Sequence, residues 1–480
     1  MKNKSSMESS IRYGILFAIA FISIVCRLIA TADSHLIPGL GSMYYPLQVR
    51  CLLERGTLGY SDVPLVFWIE ALAARIIILV SSMPVSDSIV FACRMVNAVL
   101  PSLIVIPVFY LTQSVSKSKI HPAYLAVILA LSVLNPSVLV LFAIDFDKNA
   151  ISMLFVYMTL YYLWQFSNNR KTKELVMVAG SVILTLLTHF GCFSSLFIFL
   201  LVFTLVTGIF RINWIIKWFH ESGIRIVFVA FSLLAFVLLP FLLKLYDNQR
   251  FLHLISYFSD PLQIFRNSFF MLICQGKLIW DWQNLLYLII INSFSIMSII
   301  LFFRIRTRMG KEQSIFYLSL VIWFVLLSNP FINTAIYNRL LFISLIPLTV
   351  ITIFIFQYCR KPVRLTIAIV LALLLILTVA TSGVRRTYIS KEEYLELSSL
   401  RTVIPKPSST IVLAQHRLEF WTSWTLRIKS GQLAGIKPYE YPKYSQVLYV
   451  VQKSNQFQEE IPKSASLIRT GRYFDLYRIY

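Results

Sequence analysis

"VPLVFWIEALAARIIILVSSM", residues 63 to 83, decides how this chain is threaded. The run has spanning length, yet Glu70 and Arg75 stand near its middle, and each costs about 2.5 to 3.5 kcal/mol at a bilayer centre. Read as an amphipathic or shallow helix on the outer face, it makes "MVNAVLPSLIVIPVFYLTQSV", residues 95 to 115, the second crossing, which ends at Lys117 and Lys119. With a first crossing at 15–32, the remaining ones fall at 122–143, 149–166, 174–189, 191–210, 224–245, 284–303, 314–330, 340–358 and 364–383, eleven in all. The inside loops "KSK", "NNRKTK", "RINWIIKWFHESGIR", "RIRTRMGK" and "RKPVR" then hold fifteen Lys and Arg residues, against eight in the outside connections before the C-terminal tail. A spanning 63–83 would turn all five basic loops outward, against the positive-inside bias.

Composition agrees with that threading. Of 480 residues 58% are hydrophobic and 14% charged, so lipid is the solvent for most of the chain, a polytopic α-helical membrane protein. The first apolar run ends at Asp33 with no small-residue cleavage site, which reads as a retained helix. Lys2, Lys4 and Arg12 before it place the N-terminus in the cytoplasm. The net charge of +22 belongs largely to the inside loops, where anionic membrane lipids account for it, and no nucleic-acid motif accompanies it. A prokaryotic plasma (inner) membrane is the expected location.

Two domains are expected. Residues 1–383 form the transmembrane part, with a long first outer loop at 33–91 and another at 246–283. Residues 384–480 read as a small soluble α/β domain, periplasmic or extracellular, with strands "STIVLAQH" and "QVLYVVQK" around a helix "RLEFWTSWTLRI". None of the six cysteines lies in that tail, so disulfides do not staple it.

The chemistry is expected at the outer helix ends. Asp33 follows the first crossing, and Asp145 and Asp147 stand in "FAIDFDKNAISML" between the third and fourth. Carboxylates at that depth are costly unless paired with cations or a metal. Asp145 and Asp147, two apart, could share a divalent ion such as Mg or Mn, with His35 or Asp33 completing its shell. The plain alternative is a hydrated loop in which Asp147 caps a helix beginning at Asn149. His189 in "LLTHFGCF" and Lys277 in the amphipathic outer loop are candidate substrate contacts; a structural role is the simpler account of a lone histidine. Glu54 and Arg55 are expected on a helix surface ending at Gly56.

An acidic residue right after the first helix, the outer loop "YYPLQVRCLLERGTLGYSDVPLVFWIEALAARI", a crossing entered near an arginine in "CRMVNAVLPSLIVIPVFYL", and an acidic motif followed by "KNA" together resemble the GT-C superfamily. These integral-membrane glycosyltransferases include protein O-mannosyltransferases, aminoarabinose transferases and oligosaccharyltransferase catalytic subunits. The resemblance implies a polyprenyl-phosphate or -diphosphate sugar donor, hexosyl or pentosyl, and a protein, lipid or glycan acceptor. It implies that Asp33 is the catalytic or acceptor-orienting carboxylate, although "DSH" stands where many members have Asp-Glu. It implies that Asp145 and Asp147 help hold the metal, and that Arg339 in "YNRLLFISLIPL" faces the donor phosphate. Breaking a glycosyl phosphate needs cations on the leaving group and one base on the acceptor, so Lys148 joins Arg339 as a phosphate-binding candidate. Two other functions compete. A transporter or flippase of lipid-linked substrate would favour charges near the midplane and paired interrupted helices. A non-catalytic scaffold would keep the fold alone.

Overall fold

A computed structural model describes residues 2–31, 36–39, 43–117, 119–135, 139, 147–220, 265, 268, 282–382, 387–404, 407–454 and 461–480. Helix α1, Lys2–Ala30, is followed by α2, Tyr44–Arg55, and α3, Leu65–Val80. Gly56 closes α2 in the left-handed conformation at φ 71°, its N–H bonded to the Leu52 carbonyl at 3.0 Å, the role expected of that glycine.

Helix α3 has two unlike faces. Trp68, Leu72, Ile76 and Leu79 recur at helical spacing and are exposed, Leu79 to 83%, while Glu70 on the other side is fully buried. Its sixteen residues rise about 24 Å, short of a hydrocarbon core of about 30 Å. An apolar face turned outward and a carboxyl turned inward fit a helix lying against lipid.

Helices α4, Val85–Ser102, and α5, Val105–Ser116, form one bent rod. Pro101 has no N–H to give the ladder, and the chain turns at Leu103 and Ile104 before resuming. The rod begins ten residues before the expected crossing at 95, because Pro84 starts a helix that the apolar run alone does not mark.

The bundle continues through α6, Pro122–Val133; α7, Asp147–Asn169; α8, Thr172–Thr188; α9, Phe190–His220; α10, Trp282–Ile305; α11, Lys311–Leu327; α12, Thr334–Ile343; α13, Leu345–Tyr358; and α14, Lys361–Ser382. Among the described residues six helical stretches are long and apolar enough to cross a membrane: 7–30, 85–116, 190–210, 288–308, 339–358 and 361–380. Helices α7, α8 and α11 stand in the same bundle but are shorter or more polar. The crossing expected at 224–245 and most of the outer loop at 246–283 lie outside the described residues. The bundle core is aromatic and aliphatic, with Trp164, Phe316, Trp323 and Phe354 fully or almost fully buried in it.

The tail folds as α15, Lys391–Ser399, then β1, Thr410–Ala414, α16, Leu418–Leu426, β2, Ser430–Gln432, β3, Gln446–Gln452, β4, Ser466–Thr470, and β5, Phe474–Arg478. The sheet order is β2-β1-β3-β5-β4, with β1 parallel to β2 and β3, and β5 antiparallel to β3 and β4. Period-two alternation divides β1 and β3 between two layers. Ile411, Leu413, Val447 and Tyr449 face one layer, and Val412, Ala414, Leu448 and Val450 the other.

That second layer is shared with the segment running through α2, α3 and the start of α4. Tyr45, Leu47, Val49, Phe67, Ile89 and Cys93 belong to the same apolar cluster as Trp421, Trp424 and Leu448. Arg50 reaches across it, donating through Nη1 to the Trp424 carbonyl and through Nη2 to the Ser423 carbonyl, both at 2.9 Å, with its guanidinium 4.8 Å from the Trp424 ring centre. These carbonyls are in the last turn of α16, where a cation also meets the negative end of the helix dipole. Arg50→Ala should loosen the tail by about 1.5 to 3 kcal/mol, since buried charge-assisted bonds are lost. Faster protease cleavage of the tail, with a lower melting temperature, is the expected observation; unchanged cleavage would show the contact to be incidental.

Candidate functional site

The residues between α2 and α3 wrap one carboxylate. Asp62 is 6% exposed, and its Oδ2 accepts from the Lys148 ammonium and the Tyr44 hydroxyl while Oδ1 accepts from the Val63 N–H at 2.7 Å. Gln48 holds the arrangement from behind, donating through Nε2 to the Tyr44 hydroxyl at 3.0 Å and the Tyr60 carbonyl at 2.8 Å, and accepting from the Tyr60 N–H at 2.9 Å. The Lys148 ammonium also lies over the Tyr44 and Phe67 rings, 5.7 and 5.5 Å from their centres. Burial alone would push the Asp62 pKa up, but the Lys148 charge and the three hydrogen bonds outweigh it and hold the carboxyl below the ordinary range. The pair is therefore ionised and internally neutralised.

The tail touches this cradle directly. Phe420 of α16 packs edge-on against Tyr44 and Tyr60, ring centres 4.9 and 5.4 Å apart, and the Tyr60 hydroxyl donates to the Ser430 carbonyl at 3.0 Å. The C-terminal sheet thus helps to fix the side chains that fix Asp62.

Behind Lys148 a second acidic pair is buried. Asp147 opens α7 among the described residues, and its Oδ2 accepts from Asn97 Nδ2 at 2.8 Å. Glu70 of α3 lies beside Cys93, with both carboxyl oxygens buried and, among the described residues, no N–H or O–H donor on either. Burial, then the Asp147 charge, raises the Glu70 pKa well above the ordinary carboxylate value. Hard oxygen donors of this kind suit a divalent cation, although among the described residues no three His, Cys, Asp or Glu groups converge on one point. Asp33, His35, Asp145 and Lys277 lie outside the described residues.

His189 occupies the extended joint between α8 and α9, where its Nδ1 accepts from the Cys192 N–H at 3.1 Å. An accepting Nδ1 leaves Nε2 as the N–H of the neutral ring. The charges of Lys148, Asp62 and Arg339 all reach this ring. Arg339 is exposed on α12 and has no hydrogen bond or ion pair among the described residues. The helix beneath it is pinned by Tyr337, whose hydroxyl accepts from Asn292 at 3.2 Å and donates to the Ser328 carbonyl at 3.4 Å.

The structure thus brings together Lys148, His189 and Arg339, three of the residues singled out from sequence. Asp147 accepts from Asn97, and its charge reaches Glu70. Sequence reasoning passed over Asp62, Tyr44, Gln48, Glu70 and Asn97 as site residues. A lysine at the start of a membrane helix calls for a counter-ion, but Asp62 is one of several acids in the first outer loop, and only the tertiary fold selects it.

No family model matches the sequence, and no curated protein matches it. Solved structures do. The oligosaccharyltransferase of Archaeoglobus fulgidus, in complex with Zn and sulfate, aligns with a TM-score of 0.54 at 13% identity, over 91% of this chain and 68% of that one. ArnT of Cupriavidus metallidurans, bound to undecaprenyl phosphate, aligns with a TM-score of 0.55 at 11% identity, over 97% of this chain and 98% of that one. The alignment with ArnT runs almost end to end, so helical bundle, first outer loop and C-terminal sheet belong to one architecture. This chain therefore shares the fold of these two proteins.

Proposed function

We propose that this protein transfers a sugar from a polyprenyl-phosphate or -diphosphate donor to an acceptor hydroxyl at the outer membrane face. The observation that supports it best is an exposed arginine, without a hydrogen bond or ion pair among the described residues, whose charge reaches the same histidine as a buried Asp–Lys pair, in a fold shared with a protein solved bound to undecaprenyl phosphate. In this reading Arg339 forks onto the donor phosphate, and Asp33 takes the proton of the acceptor. The bond from sugar carbon to phosphate oxygen breaks as the bond to the acceptor oxygen forms, and the phosphate leaves with the electron pair. Arg339 stabilises that charge where it develops. Lys148 adds positive potential from behind, although its first partner is Asp62. His189 and Lys277 are assigned as donor contacts. Asp147, with Asp145 and His35, is assigned the holding of a divalent ion, which would supply further positive charge to the phosphate.

Arg339→Lys tests the phosphate assignment because it keeps the charge and removes the planar fork. The donor KM should rise by about tenfold, with a smaller change in kcat. An unchanged dependence on donor concentration would remove Arg339 from the site.

A further inference from the structure

The other end of the bundle carries a second arrangement of cations. Lys148 stands at the start of α7 and Asn168 near its end, so about 30 Å of helix separates the site above from the level of Asn168. At that level a cavity of about 540 Å³ opens between the ends of α5, α7, α11 and α13, and Lys117, Lys119, Arg308 and Lys311 line it together with Asn168 and Tyr358. The acid in its wall, Glu312, is engaged by Arg170 at 3.6 Å. Among the described residues no carboxylate pairs with any of the four lining cations.

The cations are organised around the cavity as well as being numerous. Arg308 is tied to the rim by donating through Nη1 to the Tyr358 carbonyl at 3.1 Å. Lys117 caps α5 at φ 47°, a left-handed conformation that glycine adopts at lower cost, and puts a cation at the helix C-terminus. Lys311 starts α11, whose preceding Gly310 N–H is closed by Gln313 Oε1 at 3.1 Å. Two separate segments, 117–119 and 308–311, thus bring four positive charges to one hollow whose described acid, Glu312, is held by Arg170.

We infer that this cavity binds the phosphate headgroup of an anionic membrane lipid on the face opposite the proposed transfer site. The walls are the ends of membrane helices, so a phosphate held there lies at headgroup depth, with Val115 and Tyr358 beside the first acyl carbons. Four cations around one phosphate ester give the local charge that such a headgroup lacks elsewhere on a zwitterionic surface.

The test uses the full-length protein in phosphatidylcholine bilayers with chain-spin-labelled phosphatidylglycerol or phosphatidylcholine, reading the relative association of the two lipids from the motionally restricted fraction. Preference for phosphatidylglycerol should fall about tenfold in the variant Lys117→Gln/Lys119→Gln/Arg308→Gln/Lys311→Gln. A variant of equal charge that leaves the four lining cations in place, Lys171→Gln/Lys173→Gln/Arg360→Gln/Lys361→Gln, should change it less than about twofold. Single Lys117→Gln and Lys311→Gln variants should each give part of the loss, which keeps the test open should the fourfold variant fold poorly. Equal losses in the two fourfold variants would mean diffuse surface charge and overturn the site. Displacement of the lipid by millimolar inorganic phosphate would assign the cavity to a soluble phosphate and overturn a lipid ligand.

Discussion

Asp33→Asn should lower sugar transfer by about 10²- to 10⁴-fold, as loss of the proposed base requires, while the protein remains folded. The exchange keeps the volume and removes the proton acceptor, so the loss falls on the chemical step. The described carboxyls around Lys148 are poorly suited to take over. Asp62 is committed to Lys148, Tyr44 and the Val63 N–H, and its lowered pKa makes it a weak base. Glu70 is fully buried, and Asp147 accepts from Asn97. The motif "DSH" offers no second acid adjacent to Asp33. Initial rates of transfer, together with the melting temperature of the purified variant, check the expectation; full activity in a folded variant would assign the base elsewhere.

Lys148→Met should destabilise the folded protein by about 3 to 5 kcal/mol, because it leaves the Asp62 carboxylate buried without its ammonium. Asp62 and Lys148 are 6% and 14% exposed, so water cannot replace the lost partner. Removing both charges in Asp62→Asn/Lys148→Met should recover most of the loss, since the orphaned charge costs more than the pair contributes. The pH dependence has a definite sign. With the folded Asp62 pKa depressed, its contribution is present above the ordinary carboxylate range and disappears as pH falls through the depressed value. Variants carrying Asp62→Asn should lack that part of the acid sensitivity. Thermal unfolding of the single and double variants across pH measures both effects, and equal destabilisation by the single and double changes would contradict the coupling.

Much of the architecture is legible in the sequence because lipid imposes a simple rule: apolar runs of spanning length become helices, and basic loops sort them. Glu70 and Arg75 marked residues 63 to 83 as unlike the other runs, and the structure shows a helix too short to span that buries Glu70 and exposes an apolar stripe. In the tail, β1, β3 and α16 were visible as continuous apolar or aromatic pieces. Strands β4 and β5 were not, because "SLIRT" and "FDLYR" are short, mixed and close to the sheet edge. The shared core between tail and first outer loop was also invisible, since Arg50 and Trp424 are far apart in the chain and bear no local mark of one another.

The site was legible in residue types and not in pairings. Lys148, His189 and Arg339 are conspicuous as polar groups at the ends of apolar helices, and the fold gathers them. Asp62 looks like any turn acid between Gly59 and Pro64 until Lys148, 86 positions away, is folded onto it. Identity of 11% to 13% with proteins of the same fold has a similar cause. Lipid-facing positions accept almost any apolar side chain, so the architecture persists while sequence likeness fades.

The most direct test is release of sugar from a panel of radiolabelled polyprenyl-phosphate sugars by the purified protein, beside Asp33→Asn and with or without a chelator. Donor-dependent release by the unaltered protein, lost in Asp33→Asn and reduced by the chelator, is the result expected of a lipid-linked glycosyltransferase with an ion near Asp147. No turnover of any donor by a folded, lipid-embedded protein would contradict it.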